Sequence, residues 1–237
     1  MTRHTLKSDV RQGRPFYGDD APNWTFAWVL KATLCKLALV AWRVKVIGAE
    51  HLPREGGTLL CANHIALMDS LLLWCIRLPR QPHFVAKSEL YNVSGTKGKL
   101  LAWIINMVGG MPVERGTADR AMITRATDLL TRGEWVAIFP EGTRKKDGDP
   151  EALGEAMGGA AYLAMRANAV LVPIGIAGTD QILPKGARLP RFPRVTYVFG
   201  EPIDPASFEG RRKEKVTAIT DELMAAIRHL RDVARER

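Results

Sequence analysis

The alternation of apolar and polar positions changes period several times along the chain, and those changes divide it into elements. Residues 1–23 are polar, carry Pro15 and Pro22, and lack the short apolar core and small-residue cleavage site of a secretory signal, which predicts a loosely ordered cytosolic arm. From Trp24 to Val46 the chain turns strongly apolar, interrupted only by a few polar side chains and by Lys31, Lys36, Arg43 and Lys45, and it reads as one helix. Two lysines inside the run argue against a membrane span. Tryptophans beside cations suit a helix lying in the headgroup region of an anionic bilayer, while packing on the domain's own core or on a partner helix is the alternative.

Beyond Gly48, short apolar runs alternate with helical patterns. Strands are predicted at 57–63, 83–86, 110–113, 134–139, 169–176 and 194–199, and helices at 69–77, 99–108, 118–131 and 153–167. A final helix is marked by Val216, Ile219, Leu223, Ile227, Leu230 and Val233 at spacings of three and four. Strands alternating with helices predict an α/β fold: one catalytic domain over 47–237 with a mixed, largely parallel sheet flanked by helices, preceded by the 24–46 helix. Pro173 in the VPIGI run predicts an edge strand or a bulge there.

Composition narrows the function. The 237 residues carry 34 Lys and Arg against 25 Asp and Glu, a net charge of +9 that favours polyanionic partners: nucleic acid, anionic lipid or phosphorylated small molecules. No basic run interleaved with aromatics and no nucleic-acid reading motif occurs, so nucleic acid is not an expected partner. Three cysteines, Cys35, Cys61 and Cys75, sit in apolar stretches without CxxC spacing, which predicts reduced thiols packed as small hydrophobes.

The chemistry starts at CANHIALMDS, residues 61–70. On one continuous helix, His64 and Asp69 would point about 140° apart. With His64 at the end of a strand and Asp69 in the first turn of the next helix, the carboxylate reaches the imidazole, fixes its tautomer and leaves the other ring nitrogen to take a proton from a hydroxyl. The plainer alternative is that His64 caps the helix and Asp69 balances its dipole. No GxSxG elbow supplies a serine nucleophile, so the substrate brings its own hydroxyl. Three further motifs follow in order: GGMPVER at 109–115, FPEGTR at 139–144 and VPIGI at 172–176. The second sets Glu141 and Arg144 on a turn after a strand.

These four elements, in this order, resemble the glycerolipid acyltransferase family, of the kind that acylates 1-acyl-glycerol-3-phosphate to phosphatidic acid. The resemblance covers about half the chain. It implies His64 as general base and Asp69 as its orienting partner, attack on an acyl thioester of coenzyme A or acyl carrier protein as co-substrate, and no metal, cofactor or acyl-enzyme. Arg115, Glu141, Gly142, Thr143 and Arg144 would bind the glycerol phosphate, with Lys87 as a further phosphate contact. A lysophospholipid acceptor and an anionic membrane surface would be partners, at the cytoplasmic face of the cell membrane. Another lysolipid, glycerol-3-phosphate or a glycolipid is the alternative acceptor, and a non-catalytic basic module that binds membrane or nucleic acid is the alternative from a different class.

Overall fold

The run Thr58–Ala62 is buried at every position, which requires a strand covered on both faces. It is the middle of a seven-stranded sheet. The computed structural model describes residues 24–87, 95, 110–113, 120–141, 156, 158–184, 186–187 and 189–237. In chain order the helices and strands are α1 (Trp24–Ala41), β1 (Lys45–Ile47), β2 (Thr58–Ala62), α2 (Met68–Cys75), β3 (His83–Lys87), β4 (Gly110–Val113), α3 (Arg120–Thr131), β5 (Trp135–Ile138), α4 (Gly159–Ala167), β6 (Val170–Ala177), β7 (Thr196–Phe199) and α5 (Arg212–Arg235). The expected helix over 99–108 lies outside the described residues, as does the start of the one expected from 153.

The strands are ordered β1-β7-β6-β2-β5-β3-β4. Every neighbouring pair is parallel except β6 with β7. The predicted class, a mixed and largely parallel α/β sheet, is what the molecule has. Side chains alternate across β2: Leu59 and Cys61 join a core with α3, α4 and α5, while Leu60 and Ala62 join a second core with α2. Burial of Cys61 pushes its thiol well above the usual range, so it stays protonated and packs as a small hydrophobe. Helix α5 lies close on β6. A side-chain Cβ at Gly175 would sit 2.1 Å from the Leu230 carbonyl carbon, so glycine is what lets the two backbones approach.

One expectation is corrected and another resolved. The helical segment expected over 24–46 stops at Ala41, and Lys45–Ile47 becomes edge strand β1, pairing with β7. The break is local: Arg43 takes a positive φ of 43°, which ends the helix and turns the chain into the sheet. The edge is not where Pro173 lies, because β6 runs between β7 and β2, but the pairing does slip beside it, two residues (Glu201 and Pro202) facing Val172 as in a bulge next to Pro173. Its carbonyl accepts the Gly200 N–H at 2.9 Å, so its own nitrogen points the same way, to the point where β7 ends at Phe199. A missing donor there interrupts no ladder.

Helix α1 packs on the domain's own core, one of the sequence alternatives. Cys35 is buried and Ala38, Leu39 and Trp42 pack beside it on the core that α2 completes, at a spacing of one helical face. Leu34, Leu37 and Val40, on the other side, are exposed. Among the described residues no helix is long and apolar enough to cross a membrane.

Candidate active site

Parallel strands gather their carboxyl ends at one edge of a sheet, and ligand sites collect there. Here β2, β3, β4, β5 and β6 all end on the same side. One residue past β2, Asn63 is fully buried and extends the pairing with β6 through its side chain. Its Nδ2 donates to the Ile176 carbonyl at 2.9 Å, and its Oδ1 accepts the Ile176 N–H at 2.7 Å. That two-point clasp fixes the backbone on which His64 follows.

His64 Nδ1 lies 2.8 Å from Asp69 Oδ2. Asp69 is the second residue of α2, and the turn between holds both in register. The Ile65 and Ala66 amides donate to the same Oδ2 at 2.7 and 2.8 Å, so the carboxylate folds back over the residues that precede it. A negative group in the first turn of a helix is also favoured by the helix dipole. The carboxylate is wholly buried, whereas the imidazole is 18% exposed. A carboxylate partner puts the ring proton on Nδ1 and leaves Nε2 with its lone pair on the accessible side.

Two residues after β5 brace the same histidine. Phe139 stacks on it with centroids 4.0 Å apart and 18° between planes. Glu141 Oε1 accepts the His64 backbone N–H at 3.2 Å. The sequence reading sets Glu141 on the glycerol-phosphate moiety; in the fold its carboxylate also braces the backbone of the histidine. Lys87 ends β3, in register with Val113 of β4, at the same edge of the sheet. Gly142, Thr143, Arg144 and Arg115 lie outside the described residues. Of the other histidines, His83 is driven down to about 4, by burial first and by Arg125 second, and is neutral at ordinary pH.

Two residues of this site carried no signal in the sequence. Thr179, just past β6 and only 1% exposed, donates from Oγ1 to the free carboxylate oxygen, Asp69 Oδ1, at 2.5 Å. Tyr197 of β7 donates its phenol to the Asp69 backbone carbonyl at 2.8 Å. Burial, and next the charge of Asp69, raise the Tyr197 phenol well above its usual range, so it remains a donor. The acid is thus held from its own turn, from β6 and from β7. Thr179→Val keeps the shape and removes the donor, leaving one oxygen of a buried carboxylate without that bond, a loss of about 1.5–3 kcal/mol. The expected result is a kcat lower by about tenfold or more, KM changed less than about twofold, and recovery in Thr179→Ser. Steady-state kinetics on the three proteins decides it; equal loss in Val and Ser would show that the hydroxyl is not the operative group.

The arrangement is a buried acid, an oriented imidazole and an open nitrogen at the carboxyl edge of a parallel sheet, which suits deprotonation of a hydroxyl. A family model described as Acyltransferase matches residues 43–177. The chain is 30% identical over 188 residues to the 1-acyl-sn-glycerol-3-phosphate acyltransferase of Bacillus subtilis, covering 79% of this chain and 87% of that protein. It is also 30% identical over 187 residues to the mouse 1-acyl-sn-glycerol-3-phosphate acyltransferase alpha, covering 79% of this chain and 61% of the mouse protein. Its fold is similar to that of the crystal structure of the 1-acyl-sn-glycerophosphate acyltransferase of Thermotoga maritima, with a TM-score of 0.65 at 23% identity, over 97% of this chain and 88% of that one.

Proposed function

Because the chain belongs to the acyltransferase family, we propose that it moves a fatty acyl group from a thioester of coenzyme A or acyl carrier protein to the free hydroxyl of 1-acyl-sn-glycerol-3-phosphate, making phosphatidic acid. The observation that carries the reading is the His64–Asp69 pair, with Nε2 turned outward at the edge of the sheet. In this reading Nε2 takes the hydroxyl proton as the oxygen attacks the thioester carbon. The C–S bond then breaks, and the imidazolium returns the proton to the departing thiolate. Asp69 stays ionised and stabilises the imidazolium between the two steps. No metal or redox cofactor enters this balance, since a thioester is activated enough for a positioned, deprotonated hydroxyl.

The +9 net charge fits a phosphorylated acceptor, an anionic donor and an anionic membrane. Arg115, Arg144 and Lys87 are the residues we assign to the acceptor phosphate, with Gly142 and Thr143 forming the turn beside it. A lipid that stays in the bilayer must be met at its surface, which we place at the cytoplasmic face, with α1 against the headgroups.

The test is thiol release from oleoyl-coenzyme A or acyl carrier protein in detergent micelles, with and without 1-acyl-glycerol-3-phosphate. Release that depends on the acceptor, with phosphatidic acid as product, supports the reading. Release without acceptor identifies a thioesterase, and release only with another lysolipid or glycerol-3-phosphate reassigns the acceptor.

A further inference from the structure

Eight large apolar side chains are exposed among the described residues, and six of them fall on two segments: Leu34, Leu37 and Val40 on α1, and Leu183, Leu189 and Phe192 on the loop between β6 and β7. The segments are distant in sequence but bonded to each other. Trp42 stacks on Phe192 with centroids 5.8 Å apart, and its indole N–H donates to the Arg191 carbonyl at 2.9 Å. Arg43 donates to the Phe192 carbonyl at 2.9 Å. The loop is closed on itself by Arg191 N–H to the Ile182 carbonyl at 2.7 Å, and Pro184, Pro190 and Pro193 restrict its backbone.

Charge on the same segments has one sign. Residues 34–46 and 183–194 contain Lys36, Arg43, Lys45, Lys185, Arg188, Arg191 and Arg194 and no aspartate or glutamate. Cations alone would suit any acidic partner, and exposed apolar side chains alone any apolar one. An anionic bilayer takes both together, because apolar side chains enter the acyl boundary while cations stay with the lipid phosphates. Both segments are also joined to the acid of the site. Helix α1 packs on the core that α2, the helix of Asp69, completes, and the loop leaves directly from the turn that carries Thr179.

We infer that the loop around Leu183, Leu189 and Phe192 is a second anchor, which enters an anionic bilayer beside α1. It rests on the membrane-surface reading above and adds a separate element to it. Two adjacent anchors, both tied to the scaffold that carries His64 and Asp69, fix how the edge of the sheet faces the lipid better than one.

The test uses the full chain with Leu183→Glu and Leu189→Glu, side chains 57% and 78% exposed whose replacement leaves the core untouched. Partitioning is measured by co-sedimentation with phosphatidylglycerol–phosphatidylcholine vesicles and with phosphatidylcholine alone. The double variant is expected to bind anionic vesicles at least tenfold more weakly than wild type, with micellar acyl transfer within about twofold and an unchanged thermal midpoint. Binding equal to wild type overturns the second anchor and leaves the membrane-surface reading standing. Failure of the wild type itself to bind anionic vesicles removes both.

Discussion

Replacing His64 by alanine is expected to lower kcat for acyl transfer by about a thousandfold, with KM for both substrates within about twofold, since a positioned general base contributes about 10²–10⁴ in rate. The structure separates this chemical loss from unfolding. Removing the imidazole leaves Asp69 with its Ile65, Ala66 and Thr179 donors, so the buried carboxylate is not orphaned. Asn63 keeps its two bonds to Ile176 one residue earlier, and Glu141 binds the backbone N–H at position 64, which alanine retains. The thermal midpoint should therefore move by only a few degrees. Thiol release under saturating donor and acceptor makes the measurement. A variant retaining more than about a tenth of the wild-type rate would mean that the hydroxyl loses its proton elsewhere.

What the sequence made legible follows from where the free energy of folding lies. Runs such as TLLCA and WVAI are apolar because both faces of a central parallel strand are covered, and such runs mark themselves. The strand-then-helix reading of residues 61–70 brought His64 to Asp69 because both ends of that turn are local. Thr179 was invisible for the opposite reason. It lies 110 residues from Asp69, and the fold alone decides which of the chain's threonines meets a carboxylate. Edge strand β1 was missed because it has three residues, mostly exposed, and its stability comes from backbone pairing with β7, which leaves no side-chain pattern. Pro173 left edge and bulge open because proline's rule concerns the missing donor and not the strand's place in the sheet: what matters is which way its nitrogen points. The bond of Glu141 to the His64 backbone was not legible, since a backbone N–H has no letter in the sequence.

Asp69→Asn should remove charge while preserving shape, and the donors around it dictate how. Three N–H groups, from Ile65, Ala66 and His64, converge on Oδ2, so the amide oxygen must occupy that position and the NH₂ must face Thr179 Oγ1. The threonine hydroxyl can rotate to accept, and His64 still donates Nδ1–H to an oxygen, so tautomer and ring orientation survive. What disappears is the negative charge opposite the imidazolium at the moment Nε2 holds the hydroxyl proton. The expected loss is about 10²–10³-fold in kcat with little change in KM. Two groups that act as one unit are not additive, so the double variant His64→Ala/Asp69→Asn should be no slower than His64→Ala alone. If Asp69→Asn costs its full factor even without the imidazole, the carboxylate works by holding the turn between β2 and α2, and Thr179 and Tyr197 are then supports of that turn and not of the base.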